Sequence, residues 1–184
     1  VLDTAHAHAR RVVDEASAEL PDDQRDAIAE AVGVGAVKMT DLSQNPQTDI
    51  TFDWDKMMQI SGDTAAKLLY TNARCHGIFR KADLDFAPAG PLILGHPSER
   101  GLALAIARTP EVVQAAAAQH KPNVLATHLY ELARAFSAFY RDCHVLSDDN
   151  TSEVTNSRLT LVHAASRALS EGMNLMGLTP LERV

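Results

Sequence analysis

Two apolar stripes in the second half of the chain constrain its fold more than any other feature. Leu125, Leu129, Leu132, Phe136, Phe139 and Cys143 recur at spacings of 4, 3, 4, 3 and 4. Leu159, Val162, Ser166, Leu169, Met173 and Met176 recur at 3, 4, 3, 4 and 3. Such spacings keep side chains on one side of an α-helix, so each stripe predicts an amphipathic helix of about six turns. The link VLSDDNTSE between them is polar and rich in capping residues. Two long stripes joined by a short polar link predict antiparallel packing in a helical bundle.

Most of the remaining chain follows the same period. Leu2 to Glu19 reads as a helix that ends before Pro21, and a second runs from about Asp23 through IAEAVGVGAVKM. After the polar break DLSQNPQTD, the triplet ITF at residues 50–52 is the one β-like stretch. A short helix follows from about Asp53, with Asp53 and Asp55 as candidate caps, and LSQNPQTDITF is a candidate Ω-like loop. A long helix is predicted from Gly62 to Ala82, then a loop, DLDFAPAGPLILGHP. Ser98 is positioned to cap the helix RGLALAIA. Thr109-Pro110-Glu111 predicts a fresh helix start: an N-cap, proline at the first helical position, and an acid at the positive dipole end. The expected class is therefore all-α, a helical bundle with one short β-like stretch near 50–52. With 184 residues the chain can build one good core or two small, closely packed units.

Catalytic and metal motifs are absent from the sequence. Gly33-Val34-Gly35 has no preceding strand and no following Lys-Ser/Thr, so it predicts close helix packing rather than a phosphate loop. His6 and His8, two positions apart, point to different faces of a helix. Neither HExxH nor paired cysteines occur, and no Ser/His/Asp arrangement stands out, so no catalytic residue and no metal are expected. Cys75 and Cys143 have no motif-like spacing and are predicted to be buried free thiols, as suits a reducing, cytoplasmic location. No apolar run approaches the ~20 residues of a membrane span, so no membrane partner is expected. Val1 falls in mid-helical pattern, which predicts a fragment of something larger.

Charge is unevenly placed. Residues 1–63 carry thirteen acids and five bases, whereas residues 64–184 carry eleven acids and twelve bases. Within the second part, TAAKLLYTNARCHGIFRKA (residues 64–82) has four bases and no acid. On a helical wheel Lys67, Tyr70, Arg74 and Lys81 fall within about 60° of one another. Leu68, Cys75, Phe79 and Ala82 take a neighbouring sector that can face a core. Cations bind phosphate and an exposed ring stacks on an unpaired base, so this face suits single-stranded nucleic acid. It equally fits a solvated basic face with a half-buried tyrosine. Tyr140 lies at the edge of the Phe136–Phe139 stripe, where its hydroxyl can reach a ligand.

Longer blocks carry a resemblance. VGVGAVKMTDLSQNPQTDITFDWDKMMQISGDTAAKLLYTNAR resembles the region of arginyl-tRNA synthetases where the class I catalytic domain meets its helical extension. HLYELARAFSAFYRDCHVL and RLTLVHAASRALSEGMNLMGLTPLERV resemble the DALR-type anticodon-binding bundle of that family. The resemblance implies two units, residues 1–60 as the end of the catalytic domain with its junction, and residues 61–184 as the anticodon-binding domain. It implies a parent enzyme that joins L-arginine to its tRNA using ATP with Mg2+. The HIGH-type signature is not in this chain, so the fragment is expected to need no cofactor and to be inactive alone. The implied partners are the anticodon loop of tRNA(Arg) and the missing N-terminal and catalytic domains; a monomer is expected.

The resemblance also assigns residues. The family's helix facing the anticodon loop carries two tyrosines three residues apart and an arginine four residues later. Tyr70 and Arg74 match the second tyrosine and the arginine, while Lys67 stands where the first tyrosine would be. Tyr140 matches another anticodon-contact position, and Val184 stands where the family often ends in methionine. Every arginine codon has a central G, so the central anticodon C is the implied identity base. Two alternatives remain: a helical protein–protein interaction module, or the anticodon-binding domain of another class I synthetase.

Overall fold

The computed structural model describes residues 1–45, 53–57, 59, 62–84 and 90–183, without the side chain of Asp55. The expected β-like stretch at 50–52, most of the Ω-like loop, the capping role of Asp55 and Val184 all lie outside the described residues. Among the described residues, seven helices and no strand are present.

Helix α1 (Leu2–Ala16) and helix α2 (Asp22–Leu42) form an antiparallel hairpin. The Gly33 backbone lies against that of Ala5, so close that a Cβ there would sit 2.8 Å from the Ala5 carbonyl carbon and oxygen. The GVG stretch is thus a helix-packing feature, as its sequence context predicts. At the hairpin's closed end Arg10 pairs with Asp14, Asp22 and Asp26. His6 turns to Asp26 at 3.2 Å, whereas His8 stacks on Trp54 with ring centroids 5.5 Å apart. Trp54 opens the short helix α3 (Trp54–Met57), whose start is capped by the Asp53 carboxylate accepting from the Lys56 amide at 3.2 Å.

Helix α4 (Ala65–Ala82) begins at Thr64, whose hydroxyl accepts from the Lys67 amide at 3.2 Å. It ends at Asp83, which takes a left-handed conformation with φ 54°. Helix α5 runs unbroken from Pro97 to Gln119, which corrects two sequence expectations. The cap is His96, not Ser98, because the residue before a proline is pushed into extended backbone and Pro97 is pre-set for the first helical position. Ser98 instead donates to Asp142 at 2.6 Å. No new helix starts at Thr109-Pro110-Glu111; Pro110 lies inside α5. An interior proline costs about 3 kcal/mol. Leu102, Ala103 and Ile106 before it, and Val112, Val113 and Ala116 after it, all pack on the same core. Leu102 and Ala116 are buried and the others partly buried, so breaking the helix would forfeit apolar contacts that offset that cost.

Helix α6 (Pro122–Asp142) and helix α7 (Ser152–Leu175) complete the bundle. Every residue of both predicted stripes is buried. Gly172, late in α7, meets Leu129, early in α6, so the two helices run antiparallel as expected. Both cysteines are buried and unpaired. No described helix is long and apolar enough to cross a membrane.

Candidate nucleic-acid interface

One turn of α4 and the end of α6 bring the aromatic and basic candidates together. Tyr70 and Arg74 are four residues apart and therefore share a face of α4. Tyr140, in the last turn of α6, reaches the same place because its neighbours Phe136 and Phe139 are drawn into the core beneath it. The Arg74 guanidinium carbon lies over both rings, 4.5 Å from the Tyr70 centroid and 4.7 Å from that of Tyr140. Arg74 also donates to the Tyr70 hydroxyl. Behind them the Phe136 ring stacks with Tyr140 at 6.2 Å, so one arginine joins two tyrosines on an aromatic base anchored in the core.

This cluster forms a wall of an open cleft of about 520 Å³. Arg80, Lys81 and Arg183 line it together with Arg74, and the single acid there is Glu19. A patch of this sign is local, because the chain as a whole carries −7. Among the described residues, Arg74, Lys81 and Arg183 are in no ion pair, so these charges remain available to an anion. A second cleft of about 550 Å³ shares Ile78, Lys81 and Tyr140 with the first and adds Arg141, His144 and Leu146. Tyr140 is thus the partition between two adjoining recesses.

The structure unites four of the six sequence candidates: Tyr70, Arg74, Lys81 and Tyr140. Lys67 is not among the residues lining either cleft, although it has the right angular position on α4. Both clefts open along the turns of α4 that follow it, from Tyr70 onward. Val184 lies outside the described residues. Arg80 and Arg183 were not foreseen. Arg80 falls outside the wheel sector and reaches the rim with its long side chain, donating to the Glu182 carbonyl at 2.9 Å. Arg183 arrives on the segment after α7, and no local pattern signals that.

Several other aromatic and polar groups are committed to contacts within the fold. Tyr130 is buried, and its phenol is pushed up to about 12 by desolvation, with the nearby Asp63 carboxylate adding to the shift. Arg134 pairs with Asp63. His128 is buried against Thr109 at 3.0 Å, and desolvation holds its imidazole below the ordinary range. Burial likewise raises the Cys75 thiol, which removes it as a nucleophile. Among the described residues no cluster of three metal-ligating side chains occurs.

Comparison with known proteins identifies the family. The family description "DALR anticodon binding domain" matches residues 68–184. A second, "tRNA synthetases class I (R), catalytic domain", matches residues 1–54. An arginine–tRNA ligase of Chloroflexus aggregans is 45% identical over all of this chain, which covers 32% of that protein. One from Escherichia coli K12 is 39% identical, again over the whole chain and 32% of the relative. The chain therefore spans about a third of the curated relatives it matches. Among solved structures, Thermus thermophilus arginyl-tRNA synthetase superposes with a TM-score of 0.89 at 29% identity, over 100% of this chain and 31% of that one. The Plasmodium falciparum enzyme gives 0.84 at 26% identity, over 100% and 33%.

Proposed function

This chain belongs to the DALR anticodon binding domain family, and from that premise we propose that its Tyr70–Arg74–Tyr140 cleft takes the unpaired anticodon loop of an arginine tRNA. The observation that carries this reading is one guanidinium over two tyrosine rings at the rim of a basic cleft on an acidic chain. Unpaired bases need flat partners, and their phosphates need cations. Tyr70 and Tyr140 supply the first. Arg74, Arg80, Lys81 and Arg183 supply the second, holding phosphates and setting register without reading sequence. The edge of the central C is then left to hydrogen-bonding groups of the cleft. Lys67 sits off the cleft and would meet only a phosphate further along the strand.

The division near residue 60 belongs to this proposal: residues 61–184 as the RNA-binding unit, residues 1–60 as the end of a catalytic domain with its junction. The separate family matches on either side of residues 55–67 support it. The parent would join arginine to its tRNA with ATP and Mg2+, in the cytoplasm. That chemistry has no fitting donor set among the described residues, so no step of it is assigned to them.

A salt-dependent titration tests the reading, using an arginine tRNA transcript and a copy with the central anticodon C replaced. We expect the unaltered transcript to bind more tightly, with affinity falling as salt rises. Equal, weak binding of both would assign specificity to parts of the protein beyond these residues. No binding at low salt by the folded chain would reject the reading and favour a protein-interaction module.

A further inference from the structure

Asn72 is the most connected buried polar side chain on α4, and it faces away from the clefts. Only 1% of its surface is exposed. Its Oδ1 accepts from two serines of α7, Ser166 at 3.0 Å and Ser170 at 3.1 Å. Its Nδ2 donates to the Leu181 carbonyl at 3.0 Å, across 109 residues of sequence. The orientation of the amide is forced, since a backbone carbonyl can only accept and must meet the NH2 end. Ser166 spends its proton on Asn72, so His76, 3.2 Å away, must donate to that hydroxyl through Nε2. The segment after α7 is also held by Lys38 on the Gly177 carbonyl and Arg80 on the Glu182 carbonyl. Of these three anchors, Asn72 is the buried one.

That segment matters because it delivers Arg183 to the cleft. We propose that Asn72 is a positioning residue: it latches the Leu181 carbonyl so that Arg183 joins Arg74, Arg80 and Lys81 as a phosphate contact. Asn72 itself touches no RNA. It ties α4, α7 and the following segment at one point, so the cation that arrives from far along the chain is set in register with those that α4 carries. The inference rests on the cleft reading above, and its test separates the two.

The experiment uses this whole chain, as native protein, N72A, R183A and N72A/R183A, titrated with the arginine tRNA transcript at several salt concentrations. Backbone order parameters of residues 178–183 are measured by NMR relaxation in the same proteins. Loss of one single-strand phosphate contact lowers the slope of log affinity against log salt by about 0.7. We expect N72A and R183A each to show that loss, and the double variant to show it only once. Order parameters at 181–183 should fall in N72A and not in R183A, with those of α4 and α7 unchanged. Additive losses in the double variant, or native binding by folded N72A, would overturn the proposal. So would unchanged order parameters in N72A, even if no variant or native protein bound RNA. Where N72A fails to fold, N72D, read at neutral pH, keeps acceptors for Ser166 and Ser170 and sets a carboxylate oxygen against the Leu181 carbonyl, so the latch becomes repulsive and the same outcomes apply. If R183A binds as native while Y70A loses affinity, the cleft reading stands and the latch falls.

Discussion

Arg74 covers the tyrosine faces that a base would use. A guanidinium over an exposed ring is worth roughly 0.5–1 kcal/mol, whereas a stacked base is worth about 1–3 kcal/mol. On the proposed reading a base would displace the arginine from one ring, and the freed charge would turn to the phosphate beside it. Tyr70→Ala should weaken RNA binding by ~1–3 kcal/mol and leave the salt slope nearly native. Arg74→Ala should weaken binding and lower the slope by about 0.7, with little change in melting temperature. Arg74→Lys keeps the charge and hence the slope. Tighter binding by Arg74→Ala would mean that the guanidinium only obstructs the rings. These readings come from titrations at several salt concentrations with the same transcript.

Between elements, contact decides what propensity leaves open. Gly33→Ala would gain about 1 kcal/mol of helix propensity in isolation. The added Cβ would instead strike the Ala5 backbone, which cannot turn aside as a side chain can. Overpacking of this kind costs typically 1–3 kcal/mol, so we expect a net loss of up to about 2 kcal/mol in thermal unfolding. A melting temperature above native would refute that contact. The same distinction explains what could be read from sequence. The α6 and α7 stripes were legible because burial acts through a local period. Tyr70, Arg74 and Lys81 were legible because one helix carries all three. Lys67 does not line the clefts although it shares their angle, because a wheel records angle and not height along the axis. Pro110 misled because proline looks alike at a helix start and inside a helix held by its neighbours. Arg183 stayed hidden because only tertiary contacts bring its segment to α4.

For the whole molecule, the Glu99–Arg158 pair ties the start of α5 to α7 at 2.8 Å, with Glu99 only 2% exposed. Arg158 also donates to the His144 carbonyl and to Asn150, so the α6–α7 link closes over the same point. Burial alone would raise the Glu99 carboxyl; bonds from the His96 amide and Arg158 outweigh it and hold the group below its ordinary 4.5. A depressed carboxyl stabilises the fold above its unfolded value and loses that contribution as pH falls. Stability should therefore decline below about pH 4.5, toward the lower folded value. Glu99→Gln should lower stability at pH 7 by about 1–3 kcal/mol, since the half-buried Arg158 loses its counter-charge, and should flatten that acid decline. Thermal melts from pH 3 to 7 check both; an unchanged acid limb would place the sensitivity elsewhere, for instance in the Asp14 and Asp142 pairs, whose carboxyls are also depressed. At the other end of the molecule, the lone tryptophan lies face to face with His8, its ring plane only 3° from parallel. Excited selectively, that indole is a built-in optical gauge of how α3 sits against α1. It reads that contact, while the three tyrosines absorb separately on α4 and α6.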